Sequence, residues 1–248
     1  MKDDYTDVFR SAAAAAKYDE VVYAPGSPAA LINERQRTFL RELVAASFDG
    51  GQPVHHDFGC GTGRAIENLA GCVRAAHGYD TSAEMIERGR NRGLPAEFHL
   101  VAADGPVPEP ASTTAPAIVT MFRLFLNVGP EVRDRAVAFA AKALPDAGSG
   151  LLVIENHGNR SSLRHLSGLR KRGGDAWFNE LSHAEMRDLL GRHGFRIEDI
   201  RGFALLPQGT HRPAALRPLA RIVDAAGSRL HALAPYCRCV LYIARRTG

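Results

Sequence analysis

The chain has 248 residues, of which 45% are hydrophobic and 23% charged, so it can build a sizeable core and disorder is excluded as its main state. The formal net charge is +4, and the arginines are scattered rather than gathered in a run that could follow a phosphate backbone, so the charge does not demand a nucleic-acid partner. Because no leader pattern and no apolar run of membrane-spanning length is found, we expect a soluble, cytoplasmic protein.

Short apolar runs alternate with helical patterns along the chain. Helices are predicted at 32–48, 63–72, 82–90 and 130–144, and strands at 53–58, 75–80, 97–102, 117–122 and 150–156. Ser82, as a capping hydroxyl, and Pro130, as a first-turn proline, mark two helix starts. This alternation of strands and helices predicts parallel βαβ units with right-handed crossovers.

The pattern changes after Gly150. A helix predicted at 182–195 is followed by strands at 196–206 and 237–246, which can pair as a hairpin, and residues 207–236 between them are patterned as one or two helices. No repeat or low-complexity linker divides the sequence. We therefore expect a single domain over 1–248, with a helical insertion over 207–236.

The four cysteines carry no metal signal. They lack the paired spacing of a zinc site and are few for the length, as in a reducing compartment: Cys60, Cys72, Cys237 and Cys239. We expect reduced, buried cysteines and no metal site.

The stretch DFGCGTG, residues 57–63, follows the first predicted strand and carries glycines spaced two apart. Glycine permits unusual backbone angles and has no Cβ to block a ligand, and open α/β sheets bind ligands beyond the carboxyl ends of their strands. A dinucleotide fingerprint fails, because the last glycine of G-x-G-x-x-G, counted from Gly59, would fall on Arg64. An ordinary glycine turn beside a capping acid remains the alternative.

The pattern D-x-G-x-G-x-G resembles the first motif of the class I S-adenosylmethionine-dependent methyltransferases, and the resemblance extends from about Tyr5 to the last strand. It implies an α/β, Rossmann-like sheet of seven mostly parallel strands with an antiparallel last strand and helices on both faces. It also implies S-adenosylmethionine as the cofactor and S-adenosylhomocysteine as the product. In that family the acid matching Asp57 faces the ammonium group of the cofactor, and the loop contacts its aminoacyl part through residues that match Gly59, Cys60, Gly61 and Gly63.

Further cofactor contacts are predicted at the ends of the next strands. Asp80, about twenty positions after the first glycine and followed by Thr81, suits hydrogen bonds to both ribose hydroxyls. The resemblance gives Asp80 the same role and places Met85 against one face of adenine. At the end of the third strand, Ala103 and Asp104 are placed to read the adenine edge, although Asp104 could instead be a solvated turn residue.

The resemblance extends to the segment after the fourth strand and to the N-terminal segment. Similar proteins hold the cofactor with backbone groups near Phe122 and Arg123, although Phe122 is equally suited to the core, which is the preferred place for Phe125. Residues 1–33, with Tyr18 and Tyr23, resemble a lid that folds over the cofactor in one methyltransferase subset. Tyr23 is therefore a candidate cofactor contact.

Methyl transfer from a sulfonium is an in-line displacement, so positioning and exclusion of water matter most, and a base is needed only when the acceptor keeps its proton. His157 is the candidate base because it follows the fifth strand at the sheet edge of the cofactor; the alternative is that it only orders its loop. Further candidates for contacts to the acceptor are Asn127, Glu155, Asn156, Trp177, Phe178 and His211.

The favoured function is methyl transfer to an oxygen or nitrogen of a small-molecule acceptor in specialised metabolism. The sequence pI near 9.0 lends weight to an RNA or protein methyltransferase, but MFRL stands where such enzymes carry an Asn-Pro-Pro-aromatic or Asp-Pro-Pro-aromatic tetrapeptide. A third alternative keeps the fold and cofactor without methyl transfer, as a cyclase or decarboxylase. We predict no nucleic-acid or membrane partner, and the sequence carries no signal for an oligomeric state.

Overall fold

The computed structural model describes residues 24, 26–163, 165, 180–206, 210, 215–227 and 230–247. In these residues one sheet of seven strands has the order β3-β2-β1-β4-β5-β7-β6. Its strands are β1 (Val54–Phe58), β2 (Ala75–Asp80), β3 (Glu97–Leu100), β4 (Ala117–Met121), β5 (Gly150–Asn156), β6 (Phe195–Phe203) and β7 (Cys239–Arg246). Strands β1 to β5 are parallel, and β7 runs antiparallel between β5 and β6, which confirms the predicted fold.

Helices cover both faces of the sheet. They are α1 (Pro28–Ser47), α2 (Arg64–Leu69), α3 (Ala83–Asn91), α4 (Pro130–Ala143), α5 (His183–Arg192) and α6 (Arg217–Gly227), with short 3₁₀ helices at Phe125–Asn127 and His231–Tyr236. The side chains of β4 alternate between two cores, because successive strand residues point to opposite faces. Ile118 packs with Leu40 of α1, whereas Val119 packs with Phe139 of α4.

Local signals place the helix starts. The Ser82 hydroxyl accepts a hydrogen bond from the Met85 amide at 3.3 Å, and Pro130 occupies the first turn of α4, as predicted. Helix α1 begins earlier than predicted, because Ser27 caps it by accepting from the Ala30 amide at 3.1 Å. Phe125 is fully buried in the core, as expected.

Some predicted elements are shorter. Helix α2 ends at Leu69 instead of 72 because Ala70 leaves helical geometry and Gly71 has a φ of +79°.

The four cysteines are free, but Cys72 is half-buried rather than buried. The predictions for Tyr18, Tyr23, Trp177, Phe178 and His211 fall outside the described residues. No helix in the described ranges combines the length and the apolar character needed to cross a membrane.

Candidate cofactor and acceptor site

A cavity of about 280 Å³ lies at the carboxyl ends of β1, β2 and β4. The strand order reverses between β1 and β4, and open α/β sheets bind their ligands at such a point. Most of the residues that the sequence predicted as cofactor contacts line this cavity: Asp57, Gly59, Cys60, Gly61, Asp80, Thr81, Met85, Ala103, Asp104, Phe122 and Arg123. The fold thus gathers in one place residues that are spread over much of the sequence.

The glycine loop exposes its backbone to the cavity. Gly61 has a φ of +53°, and a Cβ placed there would meet no atom within 4 Å, so its main chain faces open space. Gly63 differs, since it does not line the cavity and a Cβ there would lie 2.8 Å from Leu94 Cδ1 and 3.1 Å from Phe98 Cζ. Gly63 therefore serves the close packing at the start of α2.

Asp57 brings a buried carboxyl group to the cavity wall. Its side chain is 1% exposed, and Thr120 Oγ1 donates to Asp57 Oδ1 at 2.7 Å. His55 Nε2 lies 2.7 Å from the same Thr120 oxygen, and since Thr120 donates to Asp57 it must accept from His55. Burial raises the pKa of Asp57 to about 7, with the Thr120 bond opposing and the charge of Asp80 adding to the rise. A cationic ligand group fits this position, because it would stabilise the ionised carboxylate.

Asp80 ties the glycine loop to the start of α3. Its Oδ2 accepts from the Gly61 amide at 2.8 Å, and its Oδ1 accepts from the Ser82 amide at 2.9 Å. Burial raises the pKa of Asp80, and these backbone hydrogen bonds oppose the rise. The Thr81 amide also hydrogen-bonds to this carboxylate, and the ionised carboxylate keeps capacity to accept from a ribose hydroxyl. The residues present therefore fit a nucleoside that carries a cationic tail.

Arg135 of α4 holds the segment after β3 in place. Its guanidinium donates to the carbonyls of Ala102 at 2.7 Å and Pro106 at 3.0 Å, and also to that of Ala103. β3 ends at Leu100 rather than 102, and the carbonyls of Ala102 and Ala103 bond to α4. Sequence reasoning missed Arg135, which also lines the cavity, because no motif marks it within the helical run.

Polar groups from α1, from the segment after β4 and from the end of β5 also line the cavity. Buried Glu155, at the end of β5, accepts from Gln36 Nε2 and from Cys239 Sγ through Oε1, each at 3.0 Å, and from the Arg123 amide through Oε2 at 2.9 Å. Arg123 has a φ of +59°, and its carbonyl accepts from Asn127 Nδ2 at 2.6 Å. We call Asn33, Gln36, Arg123, Asn127 and Glu155 the polar wall. The sequence suggested Asn127 and Glu155, but it missed Gln36 and Asn33.

His157 is not among the residues that line the cavity. It follows β5, is 8% exposed, and sits in a tightly packed loop. The Asn156 amide group donates to the Leu181 carbonyl at 3.0 Å, and a Cβ on Gly158 would lie 2.2 Å from Leu126 Cδ1. Its predicted role as a base stays a prediction.

The sheet order, the glycine loop and the acids at the ends of β1 and β2 define the class I methyltransferase fold. Residues 56–148 match the family described as a methyltransferase domain. The resemblance to the class I S-adenosylmethionine-dependent methyltransferases is therefore confirmed, and this class uses S-adenosylmethionine as its cofactor. A comparison with curated proteins finds no match to the chain.

Several solved structures share the fold at low sequence identity. Magnesium protoporphyrin IX methyltransferase from Synechocystis, solved with bound S-adenosylhomocysteine, is 15% identical over 98% of this chain and 97% of that one, with a TM-score of 0.63. A complex of the Haloferax volcanii Trm112 methyltransferase activator with the putative methyltransferase matches at 13% identity, 100% of both chains and a TM-score of 0.61. The cyclase SpnF matches at 20% identity, 84% and 80% coverage and a TM-score of 0.50.

Proposed function

We propose that the protein is an S-adenosylmethionine-dependent methyltransferase that transfers the methyl group to an oxygen or nitrogen of a small-molecule acceptor in specialised metabolism. One observation carries the proposal: the cavity that is lined by Asp57 and Asp80 is also lined by the polar wall. A ligand held by Asp57 and Asp80 would therefore share the cavity with a second molecule that contacts Gln36 or Glu155. Closeness of this kind is the main demand of a two-substrate displacement.

The residues of the chain divide the binding task. When bound, the cofactor supplies an electrophilic methyl group on a positively charged sulfur. The Asp57 carboxylate would neutralise the ammonium end, Asp80 would accept from the ribose hydroxyls, and the open space beside Gly61 would let the ligand approach the main chain closely. Met85 offers an apolar surface to adenine, with Ala103 and Asp104 at the adenine edge.

The acceptor side rests on the polar wall. Hydrogen-bonding groups that the protein already holds in place can orient the methyl-accepting substrate at little entropic cost. Glu155 is such a group, because three hydrogen bonds hold its carboxylate. We assign residues 1–33, including Tyr23, as a lid and 207–236 as an acceptor cap that together exclude water. The lid assignment is supported by two residues of α1 that line the cavity: Asn33, the last residue of that segment, and Gln36, which follows it.

The test is transfer of a labelled methyl group. The purified protein is incubated with methyl-labelled S-adenosylmethionine and, in parallel, with a panel of phenols, carboxylic acids and amines, with total RNA, and with a protein extract. Label in a small molecule supports the proposal. Label only in RNA or protein contradicts the acceptor class.

A non-methylating reaction is the second candidate, because one protein of this fold is the cyclase SpnF. Cofactor binding in calorimetry, without label transfer to any acceptor and without release of S-adenosylhomocysteine, would favour it over methyl transfer.

The assignment of His157 as a base predicts that replacing it affects turnover but not cofactor binding. His157→Ala is expected to lower turnover by roughly 10²-fold or more for an acceptor that keeps its proton, with little change in cofactor affinity, because general-base catalysis contributes on that order. Steady-state kinetics and calorimetry measure the two quantities. His193→Ala is the matched control, because His193 pairs with Asp134 Oδ1 at 3.0 Å and lies outside both the cavity lining and the proposed cap. Unchanged turnover in His157→Ala would remove His157 from the mechanism.

A further inference from the structure

Two histidines and a carboxylate converge at the β2–β3 edge of the sheet, outside the cavity lining. In the parallel register His77 of β2 lies opposite Glu97, and Tyr79 lies opposite His99. Since side chains alternate along a strand, Glu97 and His99 project from the same face of β3, the edge strand. The three side chains therefore meet on one rigid surface of paired strands.

The spacing of the ligand atoms suits a metal ion. His99 Nε2 lies 3.4 Å from His77 Nδ1, His77 Nδ1 lies 3.5 Å from Glu97 Oε2, and His99 Nε2 lies 4.0 Å from the same oxygen. A tetrahedral zinc ion with bonds of about 2.0–2.1 Å separates its ligands by about 3.3–3.4 Å. Two of the three separations already match, and a small rotation of the Glu97 side chain closes the third. A hydrogen bond accounts less well for the two nitrogens, because their separation exceeds the usual length of about 2.9–3.0 Å.

The cluster is open on one side and supported on the other. The side chains of His77, His99 and Glu97 are 11%, 33% and 73% exposed, so an ion can enter from solvent and keep a water molecule. The rings are held by stacking, His77 on His56 at 5.4 Å between centroids and His99 on Tyr79 at 4.9 Å. Burial also lowers the pKa of His77, which favours the neutral imidazole that binds metals.

We propose that His77, Glu97 and His99 bind one Zn²⁺ ion, with water as the fourth ligand. Imidazole nitrogens select borderline transition metals over hard cations, so Co²⁺ and Ni²⁺ also bind and Mg²⁺ does not. The ion joins the edge strand β3 to β2 by three side chains and so stabilises that edge. This site lies beyond the proposed methyl transfer and does not depend on it.

Calorimetric titration of the untagged full-length protein with zinc chloride tests the site. One Zn²⁺ per chain is expected, together with a raised melting temperature in zinc and the absorption bands of four-coordinate Co²⁺ after titration with cobalt. Mg²⁺ is expected to give neither binding heat nor a thermal shift. Absence of stoichiometric zinc binding, or binding of Mg²⁺ with similar affinity, overturns the proposal.

Variants assign the ligands. Glu97→Gln and His99→Gln are each expected to weaken zinc affinity by about tenfold or more, since even partners of metal ligands have effects of that size. His231→Gln is the matched control, because His231 Nε2 also pairs with a carboxylate, Asp199 Oδ1, at 2.8 Å on the surface. Far-UV circular dichroism checks that each variant folds. Equal zinc affinity in Glu97→Gln, His99→Gln and His231→Gln would show that the ion binds elsewhere.

Discussion

Replacing Asp80 with alanine is expected to weaken S-adenosylmethionine binding by about 1–3 kcal/mol, or roughly 5- to 150-fold in Kd, because hydrogen bonds to an ionised group are of that size. Two losses combine in this variant. The ribose hydroxyls lose their acceptor, and the Gly61 and Ser82 amides lose the carboxylate that holds the loop beside α3. Calorimetry measures the change directly.

Asp146→Ala is the matched control for Asp80→Ala. Asp146 Oδ1 accepts from the Gly148 amide at 2.9 Å, the same bond across two residues that Asp80 makes to Ser82, but in an exposed turn outside the cavity lining. The control variant should bind the cofactor with unchanged affinity. If Asp80→Ala also binds like the unaltered protein, Asp80 does not contact the ribose.

Cofactor affinity is expected to increase with pH up to about 7 and then to level off with respect to Asp57. Burial holds the pKa of this carboxyl at about 7, so below that pH the free protein must release a proton before the carboxylate can pair with the cofactor's ammonium group. The bound cation lowers the pKa, and each pH unit below about 7 therefore costs up to about 1.4 kcal/mol, or tenfold in Kd. Asp80 faces Asp57 as a second carboxyl, and His55, behind Thr120, stays neutral because burial lowers its pKa to about 3.

Calorimetry between about pH 5 and about pH 9, in buffers of different ionisation heat, measures both the affinity and the protons released. Asp57→Asn provides the comparison, because the amide keeps the size of the side chain but neither titrates nor carries charge. This variant should bind more weakly at neutral pH and lose the part of the pH slope that belongs to Asp57, while titration of the cofactor itself affects both proteins equally. Identical slopes would mean that Asp57 does not meet the ammonium group.

Sequence patterns predicted those parts of the fold and the site that depend on residues close together in the chain. The alternation of strands and helices predicted parallel βαβ units, and the resemblance to the methyltransferase family implied the seven-stranded sheet. The motif around Gly61, with Asp57 and Asp80, predicted residues that line one cavity. Gln36 was missed because the sequence predicts a helix at 32–48 but carries no motif that links this helix to the site. That the buried Gln36 amide reaches Glu155, 119 positions away, follows from how α1 lies on the sheet, and no short pattern encodes that.

The histidine cluster was missed for a related reason. The spacing of the cysteines gives no metal signal, and His77 and His99 stand 22 positions apart and meet only through the register of β2 and β3. Arg135 is a similar case, since its bonds to the carbonyls of Ala102 and Pro106 depend on where α4 crosses the loop. Contacts between segments that are far apart in the sequence can be identified only from the tertiary structure.

Glu155 accepts hydrogen bonds from three elements of the fold, and this limits how the proposed preference for a methyl acceptor can be redesigned. One carboxylate serves helix α1, the loop after β4 and strand β7 through Gln36, Arg123 and Cys239. An exchange at that position would disturb three elements at once. Asn33 offers an easier starting point for a mutant library, since its side chain pairs with that of Asn68 on neighbouring α2, at 3.0 Å, and the two positions can be varied together.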